Sequence, residues 1–291
     1  MHQLETRFNH QFGYPYVFLN DVPFSDEFKS RISSATNSSV EFGVIPHDDW
    51  NQPSWINEEK AAKARASLKH GNVKYGDSVP YRNMCRFNSG FFYRHELLQK
   101  YRWYWRVEPG VQFHCNIPVD PFLFMEENDK MFSFTITALE IRPTIVTLWW
   151  HVKQFMQQHP EFIAQDNAIR FISPDNGISY NYCHFWSNFE IADMNFWRGP
   201  AYTAFFDYLD KAGGFYYERW GDAPIHSIAV SLFARKDQIH FFNDIGYQHD
   251  DWMHCPSSEE VYKANECSCD PSRSFDYQPG SCTSEWDRVF D

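Results

Sequence analysis

Tyr101-Arg102-Trp103-Tyr104-Trp105-Arg106-Val107-Glu108-Pro109-Gly110-Val111 sets an aromatic, β-prone run against an abrupt stop. Proline cannot donate to a sheet ladder and glycine accepts unusual backbone angles, so a strand over Trp103 to Val107 should end at Glu108. Side chains alternate along a strand, which puts Arg106 and Glu108 on one face. In open α/β sheets the ligand crevice lies at the carboxyl ends of the strands. A carboxylate there is well placed to hold a hard divalent cation, which in turn grips phosphate oxygens. A glutamate that merely opens a turn is the structural alternative.

Outward from this stretch, Met1 to Asn9 reads as the end of a helix, with Leu4, Phe8 and Phe12 recurring at i, i+4. Tyr14 to Leu19 and Val40 to Ile45 read as short strands. Ser25 is placed to cap the helix between them, with Asp26 and Glu27 in its first turn, where the helix dipole favours negative charge. Glu58 to His70 is a helix broken by Gly71, and Tyr81 to Tyr101 reads as a helix and turn hinged at Gly90. Met131 to Leu139 alternates like one strand, and Ile178 to Ile191 reads as a second, aromatic one. Ile145 to His159 and Pro200 to Lys211 are helical, the latter closing on Gly213-Gly214. Asp222 reads as the N-cap of a helix running to about Phe233, with Pro224 in its first turn. Gln238 to Phe242 is a final strand, followed by a polar loop carrying His249. Strands alternating with helices predict an α/β fold, a single mixed sheet flanked by helices, as one domain over residues 1–291.

Composition narrows the function. The 28 Phe, 16 Tyr and 11 Trp point to a core built on rings, with some rings left to stack on a ligand. The net charge of −12 argues against nucleic acid or an anionic membrane as the main partner. A phosphorylated ligand therefore needs a metal ion or local cations beside it. No apolar run reaches the roughly 18–20 residues of a membrane span, and the N-terminus does not read as a signal peptide.

Seven cysteines stand at 85, 115, 183, 255, 267, 269 and 282. Four crowd into residues 255–291 among Pro, Ser, Asp and Gly, which reads as a loop-rich tail tied by disulfides in an oxidising compartment. The odd count leaves at least one thiol over. A zinc site on His254, Cys255, Cys267 and Cys269 is the sharper alternative, although no CxxC spacing supports it. Asn37-Ser38-Ser39 is a glycosylation acceptor pattern, in keeping with a secretory setting.

Three further groups carry chemistry or a bland equivalent. Glu190 is a carboxylate inside an apolar strand and requires either a job or an ion-pair partner such as Arg219. Asp222 has its cap to explain it. His249 lies on a loop, where most histidines face solvent. No Walker loop, GxGxxG, GxSxG or HExxH is present, which removes the commonest nucleotidase and hydrolase readings.

Several long runs carry a resemblance: Arg7-Phe8-Asn9, Tyr14-Pro15-Tyr16-Val17-Phe18-Leu19-Asn20-Asp21, Tyr81-Arg82-Asn83-Met84-Cys85-Arg86-Phe87, Tyr104 to Pro109, Cys183 to Asp193, and Tyr217 to Pro224. Through them the chain resembles the fungal Golgi α-1,2-mannosyltransferases of glycosyltransferase family 15, almost end to end. The resemblance implies a GT-A fold, a type II membrane-anchored protein of the Golgi lumen whose anchor is absent from this chain, and manganese as cofactor. It implies transfer of mannose from GDP-mannose to a mannosyl glycan acceptor with retained stereochemistry. Residue by residue, it puts Glu108 and His249 at the metal, Glu190 as nucleophile, and Tyr81, Arg106 and Asp222 in the donor and acceptor pocket. Gly110 stands where many members have Asp, and the chain begins after the segment that supplies the family's first nucleotide-binding strand. An inactive mannan-binding paralogue, or a truncated fragment, is the alternative expectation. Double displacement through Glu190, and a route in which acceptor and leaving group share one face, both stay open.

Overall fold

The computed structural model describes residues 1–291. Two parallel strands, β1 (Tyr16–Asn20) and β2 (Val40–Val44), flank helix α1 (Asp26–Ser33). The Ser25 hydroxyl accepts from the Phe28 N–H at 3.2 Å, the expected cap. Helices α2 (Glu58–His70) and α3 (Val79–Gly90) follow, capped by Asn57 and Ser78. Gly90 is not a hinge. It is the last residue of α3, and its bare Cα admits the Phe206 ring: a Cβ there would fall 1.9 Å from Phe206 Cζ.

Strand β3 (Trp103–Val107) stops one residue short of Glu108, as proline and glycine require. Its alternation is used on both sides: Trp103 and Trp105 pack into a smaller core with Phe8, Phe113 and Phe189, while Tyr104 faces the main core. The other strands are β4 (Gln112–Phe113), β5 (Phe132–Phe134), β6 (Thr137–Leu139), β7 (Cys183–Phe185), β8 (Phe189–Asp193), β9 (Ile239–Phe241), β10 (Tyr247–His249) and β11 (Trp252–His254). The longer helices among them are α4 (Leu148–Gln158), α5 (Pro200–Ala212) and α6 (Asp222–Phe233).

The mixed α/β class is as expected, but the single sheet is not. The strands form four sheets: β1-β2, β3-β8-β5-β9, β6-β7 and β11-β10-β4. The reason lies in the two runs that read as one strand each. Residues 131–139 bend at Thr135-Ile136, so β5 pairs with β8 and β9 while β6 pairs with β7. Residues 178–191 likewise break at Trp186 to Asn188, between β7 and β8. Each run changes partners at its bend.

In the four-stranded sheet β3 and β8 run antiparallel with Arg106 opposite Glu190. Helix α6 lies against α3 and β7 and is buried along ten of its twelve residues. A helix buried on all sides leaves no solvent for its polar side chains, so Asp222, His226 and Ser227 must find partners inside the protein. The Ser227 hydroxyl accepts from the Phe185 N–H at 2.7 Å.

Three disulfides join Cys115 to Cys267, Cys183 to Cys282 and Cys255 to Cys269, leaving Cys85 free and buried. The tail is tied as its composition predicts, but only one bridge lies wholly within it; the other two fasten it to the body. These bonds remove the zinc alternative, and His254 Nδ1 instead meets Asp276 at 2.9 Å. Cys183–Cys282 closes a separation of 99 residues beside Trp286, whose ring lies against Phe134, Phe171 and Phe185. Replacing both cysteines by serine should lower the unfolding free energy by about 2–4 kcal/mol. Chemical denaturation reads this as a lower midpoint, and an unchanged midpoint would contradict it. No helix is long and apolar enough to cross a membrane.

Candidate active site

Strand alternation puts Tyr104, Arg106 and Glu108 in one row. Arg106 is the hub: one terminal nitrogen donates to Glu108 and the other to Asp222. The Ser187 hydroxyl donates to the same Asp222 oxygen at 2.7 Å. Burial alone would raise the Asp222 carboxyl. The Arg106 charge, the nearby His226 and the Ser187 hydroxyl outweigh it and hold Asp222 below the usual carboxylate range. Asp222 is therefore not the cap read from sequence. Gly221 occupies that position, and Asp222 begins the helix with its side chain turned to Arg106.

His249 lies at the end of β10 rather than on a free loop. Tyr247, two residues back, is buried and donates to the Asn188 carbonyl at 3.0 Å, which fastens β10 beside the start of β8. The His249 ring stands edge-on to Trp186 at 5.3 Å between centroids. Its Nε2 comes within 3.5 Å of Glu108 Oε2, with the two side chains 19% and 29% exposed, so both are reachable from outside.

Glu190 is 1% exposed and is not paired with Arg219. It accepts from the Tyr104 hydroxyl at 2.8 Å, and both its oxygens lie 3.1 Å from His226 Nδ1. Arg219 instead pairs with Glu140 at 3.7 Å and lies over the Tyr81 ring, 5.0 Å from its centroid. Tyr81 also stacks on Tyr75. The structure thus joins Glu108, Arg106, Asp222 and His249 directly and sets Glu190 across the strand pair, while Tyr81, on α3, faces the Arg219 guanidinium. Tyr104, Ser187, Trp197 and His226 are missing from the sequence reading. Two of them left a signal: Tyr104 precedes Arg106 by the strand period, and His226 follows Asp222 by one helical turn.

Residues 1–290 match the family model described as glycolipid 2-alpha-mannosyltransferase. The chain belongs to this family. It is 52% identical over 283 residues to alpha-1,2 mannosyltransferase KTR1 of Saccharomyces cerevisiae, covering 97% of this chain and 72% of that protein. It is 51% identical to the glycolipid 2-alpha-mannosyltransferase of the same yeast, again over 97% of this chain, but it spans only 64% of that relative's length. The crystal structure of core-mannan synthase A (CmsA/Ktr4) from Aspergillus fumigatus, in its Mn/GDP form, superimposes with a TM-score of 0.92 at 40% identity, covering 99% of this chain and 79% of that one. The GT-A-like fold is borne out.

The family member's Mn and GDP raise the question of whether the residues here suit a divalent ion. Glu108 offers a carboxylate oxygen and His249 an imidazole nitrogen, donors that such ions accept. Two ligands each about 2.1 Å from one ion stand ~3–3.5 Å apart, and the observed separation is 3.5 Å. Arg106 occupies the other Glu108 oxygen and so leaves Oε2 turned to His249. His249 Nδ1 is buried without a partner, with Asp250 Oδ2 3.9 Å away. The pair fits. Gly110, in a turn at φ +85°, would give a side chain nothing to touch within 4 Å.

Proposed function

We propose that this chain is a retaining α-1,2-mannosyltransferase that moves mannose from GDP-mannose to a mannosyl acceptor in the Golgi lumen. One observation carries the reading: a chain matched end to end by the family model assembles Glu108, His249, Arg106 and Asp222 into one polar chain, with Glu190 buried beside it. Three disulfides and the Asn37-Ser38-Ser39 pattern, with Asn37 itself exposed, support an oxidising, secretory compartment.

A divalent cation, manganese by analogy with the A. fumigatus relative, would be held by Glu108 and His249 and would neutralise the diphosphate leaving group. Arg106 holds Glu108 in place and adds its own positive charge on the donor side. Asp222, kept ionised by Arg106 and Ser187, offers acceptor oxygens to sugar hydroxyls. As the bond to phosphate lengthens, the anomeric carbon gains oxocarbenium character, and a carboxylate on the far face of the ring stabilises it. Glu190 fills that role by forming a transient bond that the acceptor hydroxyl displaces, or by charge alone when the acceptor enters on the face the diphosphate leaves. Both routes need Glu190 ionised.

The test is incubation of purified protein with manganese, labelled GDP-mannose and methyl α-mannoside. Label should appear in an α-1,2-linked disaccharide. Mannoside binding with no transfer would favour the binding-only alternative, and release of free mannose regardless of acceptor would favour hydrolysis.

A further inference from the structure

His226 sits in the middle of α6, 1% exposed, in a cage whose hydrogen-bond directions are set by chemistry. Its Nε2 lies 3.1 Å from the Asn88 carbonyl, which can only accept, so Nε2 carries a proton. Its Nδ1 lies 3.1 Å from both Glu190 oxygens. The indole N–H of Trp197 donates to the Tyr104 oxygen at 3.1 Å, which turns the Tyr104 proton toward Glu190. Burial and the Glu190 charge hold Tyr104 as the phenol, so this direction does not reverse. A neutral His226 with its proton on Nε2 would aim a lone pair at a carboxylate from 3.1 Å. One proton must therefore lie between Nδ1 and Glu190.

The surroundings decide which side keeps it. On β3, the Tyr104 hydroxyl donates to Glu190, and Arg106, its partner across the ladder, is positive. On α6 itself Asp222, one turn before His226, is negative and favours a cation there. The Trp197 ring stacks on the imidazole at 4.2 Å and 24°, a face that attracts positive charge. From α5 comes Tyr202, a phenol raised by burial, and from the turn after α3 the apolar Phe92. Burial works against two separate charges but far less against an adjacent, hydrogen-bonded pair.

We infer that His226 is a positioning residue: as a doubly protonated imidazole, anchored on Asn88 and Trp197, it holds Glu190 ionised and aims its less occupied oxygen, Oε2, at the donor. Oε1 already takes bonds from Tyr104 and His226, whereas Oε2 takes only the latter. The inference rests on the mannosyltransferase reading for its consequence but not for its geometry.

Two variants separate the ring nitrogens. His226→Asn keeps a donor near the Nδ1 position, toward Glu190, and His226→Gln keeps one near Nε2, toward Asn88. Misplacing a reacting group typically costs about 100-fold. We expect kcat to fall by about that factor in His226→Gln, with KM and GDP affinity little changed, and to recover in part in His226→Asn. Added to Glu190→Gln, His226→Gln should cost nothing more. Equal loss in both variants, in step with a lower melting temperature, would overturn the inference. ¹⁵N NMR of histidine-labelled protein supplies a readout independent of turnover: two protonated ring nitrogens are expected for His226, with the Nδ1 proton lost in Glu190→Gln. A neutral His226 in the native protein would refute the inference even if transfer is observed. A charged His226 with no transfer to any mannoside would uphold the pair and reject the mannosyltransferase reading instead.

Discussion

Glu190→Gln should lower mannosyl turnover by about 10²–10⁴-fold, roughly 3–5 kcal/mol of transition-state stabilisation, while GDP affinity barely changes. The substitution keeps the shape and accepts the same Tyr104 hydroxyl, but it removes the charge that opposes the oxocarbenium ion. It should also fold. His226 can release one proton and accept a hydrogen bond from the new amide, so neither group is left as an unpaired buried charge. Three measurements on one variant are decisive: melting temperature, GDP binding by calorimetry, and mannosyl transfer. A structural ion-pair role would lower the melting temperature and reduce activity only in step with folding. Full turnover in a well-folded variant would end the assignment.

The second large effect concerns GDP. The chain carries a net charge of −12, and Glu108 adds a local negative charge where the diphosphate would sit. Without a cation, this corner repels its ligand. We therefore expect GDP to bind with manganese and not with EDTA. His249→Ala removes the only imidazole facing Glu108 Oε2 and should weaken GDP binding by about 10²-fold, or roughly 2.7 kcal/mol. The same change should leave the melting temperature of the GDP-free protein nearly intact, because His249 Nδ1 holds no hydrogen bond that folding depends on. Equal GDP affinity with EDTA and with manganese would refute the assignment of the pair.

How much of this was legible in the chain depends on the range of the interaction. The stop at Glu108-Pro109-Gly110 and the caps at Ser25 and Gly213 are local, and the structure keeps them. The break at Thr135-Ile136 is not local. Which partner a strand takes after a bend depends on residues far along the chain, so one alternating run concealed two strands in different sheets. Asp222 shows the same limit: a good cap residue by type, it was claimed instead by Arg106, 116 positions away. For Glu190 the sequence leaves a functional role and an ion pair with an arginine such as Arg219 both open, because nothing in it shows that α6 presents His226 to β8. The family resemblance named six site residues, yet none of the groups that orient Glu190.

One consequence follows from Arg106 lying opposite Glu190 while α6 meets the first through Asp222 and the second through His226. A slip of β3 by one residue would turn Arg106 into the tryptophan-lined core and bring Trp105 or Val107 to the carboxylates. The Arg106–Asp222 link and the Tyr104–Glu190 hydrogen bond would be lost together, and a guanidinium would be left in apolar surroundings at a cost of several kcal/mol. Mispaired forms of this strand are therefore heavily penalised, and the groups proposed to handle the sugar nucleotide would also act as a proofreading device for folding. Variants that neutralise Arg106 should show this as heterogeneity: more than one conformer, or a slower and less complete refolding, in protein that still contains all of its aromatic core.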